Sequence, residues 1–441
     1  MPASSSSRRC VAITGLGVVG PLGNSPAAMW EALCAGRSGV DVLSLLPPLE
    51  NRVYFGGEAK QFSGSIADFG VVTKDQKKAI RKSLKVMCRE TIMAVAAAHQ
   101  AAADAHLADQ PVDPERSGIV FGSDYMLSPP DDFTDGMLKC GAQEGKVEYA
   151  KWGQAGLAEM NPLWMLKYLP NMPASHIAIL NDLRGPNNSL TLREIAGIMA
   201  VREAAQTIQR GHADCMLAGA TGTRIHPFKT VHAVQTEQLA NPECEPARAS
   251  CPFDLHRTGM VVGEGAGVIV LEELESARRR GATIYGLIAG ASSSVVTNSK
   301  LEGQRDKAMT NAARSAMDEA EISADRLGHI SAHGLATTDC DAEEARAIHA
   351  TLGSAGSKVP VVAAKSYFGN LGAGSGILEL VASTMALNQG RLFRTLNFKT
   401  PDPQASLAVT SDDQQPAGDS FLKLSVTPQA QAAAVVVTRV D

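Results

Sequence analysis

The chain has 441 residues, 44% hydrophobic and 20% charged, with a formal net charge of −5 at pH 7. That length and apolar content suit a soluble globular protein with two core-forming units, and the acidic balance excludes the basic footprint that nucleic-acid binding demands. No apolar run approaches the roughly 20 residues that span a bilayer, so no membrane association is expected.

Residues 1–9 are polar and lack the apolar core of a secretory signal. Eight cysteines, with no CxxC pair and no His partners at metal-ligand spacing, read as free thiols of a cytoplasmic protein without a metal. The first strand starts at Val11 and carries Gly15, Gly17 and Gly20 in a GxGxxG spacing. A dinucleotide site needs a helix to begin at once, and Pro21-Leu-Gly-Asn24 follows instead, so no cofactor is expected.

Further along, residues 74–85 hold Lys74, Lys77, Lys78, Arg81, Lys82 and Lys85, a solvated face or a contact for an acidic protein. Helical patterns cover 90–105, 195–210, 307–320 and 342–352. Apolar runs at 118–122, 215–219, 267–271, 285–289, 329–332, 359–363 and 433–437 read as strands. Strands alternating with helices give an α/β chain with largely parallel, doubly covered sheets. The stretch 124–171, rich in Asp, Gly, Pro and aromatics, reads as an irregular insertion that caps a site or builds a subunit interface. A charged run ending at Arg280 divides the chain into halves, 1–280 and 281–441.

Three segments carry a family resemblance. Val11-Ala-Ile-Thr-Gly-Leu-Gly-Val-Val-Gly-Pro-Leu-Gly-Asn24, Pro252-Phe-Asp-Leu-His-Arg-Thr-Gly-Met-Val-Val-Gly-Glu-Gly-Ala-Gly267 and Ala332-His-Gly-Leu-Ala-Thr-Thr-Asp-Cys-Asp341, with Glu344 behind it, resemble the elongating β-ketoacyl-[acyl-carrier-protein] synthases along nearly the whole chain. The resemblance implies a thiolase-like fold, two similar βαβαβαββ halves in a five-layered αβαβα core. It also implies a dimer, homodimer or heterodimer with an intact ketosynthase, a deep acyl pocket near the interface, and an acyl carrier protein as partner. In that family a cysteine at a helix start takes the acyl chain, two histidines serve malonyl decarboxylation, and two backbone amides form the oxyanion hole.

Counting without a gap from Gly185-Pro186 puts Glu194 at the cysteine position, where a carboxylate gains none of the thiolate chemistry that a helix start confers. By the helix alone, Glu194 is an ordinary acidic residue whose charge that end stabilises. His333 matches the first histidine, and with Glu194 as neighbour an imidazolium and a structural ion pair are expected. Lys365 matches the family lysine, and Asn370 stands where the second histidine is expected, as an amide donor to a developing oxyanion or as a turn residue. Pro428 falls on the loop residue whose N–H completes the oxyanion hole, and proline has no N–H to give. Cys340, Ser189 and Thr191 are poorly placed as substitutes for the thiol. The resemblance therefore implies a partner subunit like the chain-length factors of polyketide systems, although those carry glutamine at the cysteine position. A decarboxylase or acyltransferase using His333, Asn370 and Lys365 is the enzyme alternative.

Overall fold

The computed structural model describes residues 9–46, 53–110 and 112–440, so the Ser-rich start lies outside the described residues. Among the described residues, two five-stranded mixed sheets of identical topology form the core, with a small antiparallel pair Val40–Val42 and Phe55–Gly57 beside them. In the first, Val11–Val19 pairs antiparallel with Glu264–Glu273, which pairs antiparallel with Cys215–Thr223. Ser117–Ser123 and then the edge strand Asn187–Thr191 follow in parallel. In the second, Gly286–Val295, Gln431–Thr438, Ser420–Val426, His329–Ser331 and Val361–Val362 repeat that order and those directions. A two-residue ladder, Ala12 to Leu287 and Ile13 to Gly286, joins the sheets.

Alternation along the strands sorts side chains into three cores, because successive residues of a strand point to opposite faces. Met216, Ala218 and Ala220, with Val435 and Val437, face a central layer made by the helices Ala196–Gln209 and Ser375–Gln389. Leu217 faces the outer helix Arg89–Asp104, and Leu422, Leu424 and Val436 face the outer helix Arg305–Glu319. Helix, sheet, helix, sheet, helix is the five-layered thiolase-like arrangement that the resemblance implies.

Gly15 and Gly17 have a packing reason. A Cβ at Gly17 would lie 2.0 Å from the carbonyl oxygen of Ala97, and one at Gly15 would lie 2.3 Å from that of Ala101. The glycines let the helix Arg89–Asp104 lie on the first strand.

The stretch 124–171 is less irregular than expected. It contains the helix Asp131–Lys139 and a π-helical turn Trp152–Gly156, where Phe133 packs against Trp152 and Trp164. Aromatic contacts between short turns order it, a signal that helical periodicity does not carry.

Candidate active site

Two carboxylates of the helix Thr338–Leu352 fix the loop that carries His333. Asp341 accepts the backbone N–H groups of Phe253, Leu335 and Ala336 at 2.8, 3.0 and 3.1 Å. Glu344 accepts those of His333 and Gly334 at 2.6 and 2.8 Å. Lys365, at the start of the short helix Lys365–Phe368, places its ammonium 2.7 Å from the His333 carbonyl oxygen and 3.3 Å from His333 Nδ1. An ammonium only donates, so Nδ1 accepts and the imidazole proton sits on Nε2.

Burial first, and then the Lys365 charge, push the His333 pKa well below its usual value. The imidazolium paired with Glu194 that the sequence suggests is thus replaced by a neutral ring held by Lys365. Behind it, Glu379 bridges two buried ammonium groups, 2.5 Å from Lys365 Nζ and 2.6 Å from Lys423 Nζ.

Glu194 lies in the turn Arg193–Ile195 that leads into the helix Ala196–Gln209, and Arg193 takes a left-handed φ of 50° there. Strain of this kind persists only where the surroundings over-determine it. The Glu194 carboxylate, 2% exposed, hydrogen-bonds Arg224 Nη2 and lies 3.5 Å from Arg193 Nε. Glu237 completes a quartet, 2.7 Å from Arg193 Nη2 and 3.8 Å from Arg224 Nη1. Burial works to raise the Glu194 pKa, but the Arg224 and Arg193 charges outweigh it and hold the carboxyl below its usual range. Its own backbone N–H helps less, so two arginines rather than the helix end stabilise the charge.

Asn370 follows the Lys365 turn and is held on the glycine-rich segment. Its N–H donates to Val261 O at 2.7 Å, and its carbonyl accepts from Gly263 N at 2.9 Å. Its Oδ1 accepts from Gly372 N and Ser375 Oγ at 3.1 and 3.0 Å. The Nδ2 group faces Glu194 Oε1 at 3.3 Å and Met260 Sδ at 3.4 Å, so the amide donor is already engaged.

Of residues 426–432, only Thr427–Ala430 form a turn, since the strands Ser420–Val426 and Gln431–Thr438 close on either side. Pro428 suits this tight hairpin because its ring presets the φ that the second turn position needs. Ala430 takes a φ of 58° in the last turn position.

Glu194, Glu237, His333 and Pro428 line one cavity of about 150 Å³, with Cys340 and Arg305 also on its wall. Burial pushes the Cys340 thiol well above its usual pKa, which leaves no thiolate there. Ser189 and Thr191 sit on the edge strand Asn187–Thr191. The basic residues from Lys74 to Lys82 ride on the helix Lys74–Ser83, anchored by buried Ile80, with Lys85 on the following turn, and none of them lines the cavity that holds Glu194 and His333.

Sequence reasoning passed over Arg224, Glu237, Glu379 and Lys423. Lys423 was visible in principle. In Phe421-Leu-Lys-Leu-Ser-Val426 it shares the face of Phe421, and a lysine on a core face demands a buried carboxylate.

Neutral buried histidines set an acid limit. Folding lowers the pKa of His333 and, through burial, brings that of His329 down to about 4. The unfolded chain takes up these protons below about 6.5, so stability falls as pH drops from there, by about 1.4 kcal/mol per pH unit for each histidine. Burial raises the Asp341 carboxyl to about 7, which opposes part of this slope over the same range, so imidazole NMR shifts at pH 7, 6 and 5 make the direct check: the rings should stay neutral throughout, and protonation near 6.5 in the folded protein would overturn the assignment.

The model for the β-ketoacyl synthase N-terminal domain matches residues 8–277, and that for the C-terminal domain matches 285–399. A 3-oxoacyl-[acyl-carrier-protein] synthase 2 of Synechocystis is 31% identical over 405 residues, covering 91% of this chain and 90% of that protein. One of Coxiella burnetii is 32% identical over 402 residues, 91% of each. Among solved structures, a β-ketoacyl synthase from Burkholderia phymatum superposes with a TM-score of 0.84 at 25% identity, covering 98% of this chain and 100% of that one. A type II polyketide ketosynthase, solved with its acyl carrier protein and a bound hexaketide, gives 0.82 at 26%, covering 99% and 100%. With both domain models matched across most of its length, this chain belongs to the β-ketoacyl synthase family.

Proposed function

We propose that this protein is a non-condensing β-ketoacyl synthase homologue of fatty acid or polyketide synthesis, a partner subunit in the manner of a chain-length factor. One observation carries the reading. Glu194, which gapless counting sets at the position of the family's nucleophile, is a buried carboxylate locked to Arg224, and it occupies the Asn370 amide that would otherwise receive a substrate oxygen. Transfer of an acyl group to a carboxylate would give a hydrolytically vulnerable anhydride, so the site stores no chain. Pro428, at the oxyanion-hole position, withholds a second donor, a loss typically worth about 2.7 to 4 kcal/mol of transition-state stabilisation.

The partners in this reading are an acyl carrier protein, docked on the Lys74 to Lys85 face, and an intact ketosynthase or a second copy of the chain. Two halves meet near residue 280, with the segment 124–171 at the subunit interface. The neutral His333, its Nε2 proton free of Lys365, favours one second reading: decarboxylation of malonyl-carrier protein without covalent acylation, with Lys365 holding the ring and Glu344 the backbone of its loop.

The purified protein, incubated with malonyl-carrier protein and followed by mass spectrometry, should form no acetyl-carrier protein and should co-purify with a Cys-His-His synthase of the same cell. Steady formation of acetyl-carrier protein would replace the partner reading with the decarboxylase. A stable acyl adduct on the unaltered chain would remove both.

A further inference from the structure

Arg224 and Glu194 belong to a longer row of buried charge. Asp124 borders the same backbone glycine as Arg224, since a Cβ at Gly372 would lie 2.9 Å from Asp124 Oδ2 and 3.8 Å from Arg224 Cγ and Nε. The Asp124 charge acts on Arg224 and also on Lys229. Lys229 Nζ lies 2.5 Å from Glu90 Oε1 and 5.1 Å above the Tyr125 ring. Glu194, Arg224, Asp124, Lys229 and Glu90 alternate in sign, and each is at most 4% exposed.

The two ends of the row line different spaces. Glu194 lines the 150 Å³ cavity, whereas Glu90 and Thr223, the neighbour of Arg224, line a second cavity of about 570 Å³ that also touches Leu127, Pro129 and Ile225. Among the described residues, none lines both. At about 30 Å³ per water-sized group, the first cavity holds about five such groups, the size of an acetyl thioester and half of what a ten-carbon chain needs.

We propose that Arg224, paired with Glu194 and flanked by Asp124, determines the substrate range of the Glu194 cavity: it closes the inner end, so that a carrier-borne thioester enters only with a short acyl group. A hydrocarbon chain would have to displace paired charges and leave them unpaired in the interior, a heavy penalty. The inference rests on the proposed function only in taking the Glu194 cavity as the place where a carrier thioester arrives.

Glu194→Cys makes the filter readable, because the sulfur it introduces lies against Arg224, which favours the thiolate. That thiolate attacks the thioester carbonyl of an acyl-pantetheine. The new S–acyl bond forms as the old C–S bond breaks, and the pantetheine thiolate leaves and takes a proton from water.

Intact-mass kinetics with acetyl- and decanoyl-pantetheine should show acetyl transfer at least 100-fold faster in Glu194→Cys. Glu194→Cys/Arg224→Ala, which removes both charges together, should narrow the ratio at least tenfold. Comparable rates in the single variant, or an unchanged ratio in the double, would overturn the filter. If either variant fails to fold or to acylate, calorimetry decides with the amide analogue of decanoyl-pantetheine on Glu194→Gln/Arg224→Met and the unaltered protein. At least tenfold tighter binding on loss of the charges supports the filter, and equal binding overturns it. Acylation of the unaltered protein is a separate result, which would overturn the non-condensing reading and leave the chain-length ratio to judge the filter.

Discussion

Arg224→Ala will lower the unfolding free energy by about 3 kcal/mol at pH 7. Removing one partner of a buried ion pair typically costs about 3–5 kcal/mol, because the remaining charge is left uncompensated in the interior. The low end applies here, since Arg193 stays 3.5 Å from the Glu194 carboxylate. The pH dependence of the loss separates this cause from a simple cavity. Without Arg224, burial raises the folded-state pKa of Glu194 above its unfolded value near 4.3. The variant then keeps its stability below the unfolded pKa and loses it as pH rises through the folded one. Its deficit relative to the unaltered protein should therefore shrink between pH 7 and pH 4.5, although both proteins weaken in acid through their buried histidines. Denaturant midpoints at the two pH values measure the difference. A deficit independent of pH would mean that Glu194 is not charged and confined as described.

How much of this site could be read from the residues depends on the range of the interaction. His333, Asn370, Lys365 and Glu344 sit in short motifs whose spacing is local, and the fold puts Glu194 and His333 on one cavity wall with the Asn370 amide against Glu194. The partner of Glu194 was misjudged because Arg224 lies 30 residues away, just past the end of the strand Cys215–Thr223, and no periodicity links the two. The central helix Ser375–Gln389 gave no amphipathic signal either. It is buried on nearly every side, and a helix apolar all round shows no stripe. The edge strand Asn187–Thr191 is polar at every position but Leu190 and exposed or half-exposed throughout, so apolar content could not mark it. By contrast, the strands in the middle of each sheet, such as Glu264–Glu273, are covered on both faces and announce themselves as continuous apolar runs.

Glu379→Gln should be the most damaging single change in the protein outside its Gly-rich packing contacts, costing at least about 5 kcal/mol. The substitution keeps the shape of the side chain and removes only its charge, yet it leaves two buried ammonium groups, Lys365 and Lys423, both 1% exposed or less, without the carboxylate that they share. One such loss already lies in the range of about 3–5 kcal/mol. Burial pulls the Lys423 pKa down even with Glu379 present, so in the variant this ammonium is the one that gives up its proton. A lysine whose folded pKa is depressed is bound by fewer protons than in the unfolded chain, and stability then rises with pH between the folded value and about 10.4. The deficit of Glu379→Gln should accordingly shrink from pH 7 to pH 9, opposite in sign to that of Arg224→Ala. The same change frees Lys365 from its anchor and with it the hydrogen bond that keeps the His333 proton on Nε2. A variant of native stability at both pH values would show that water, and not the protein interior, surrounds these lysines, and the rigid His333 geometry would then lose its physical basis.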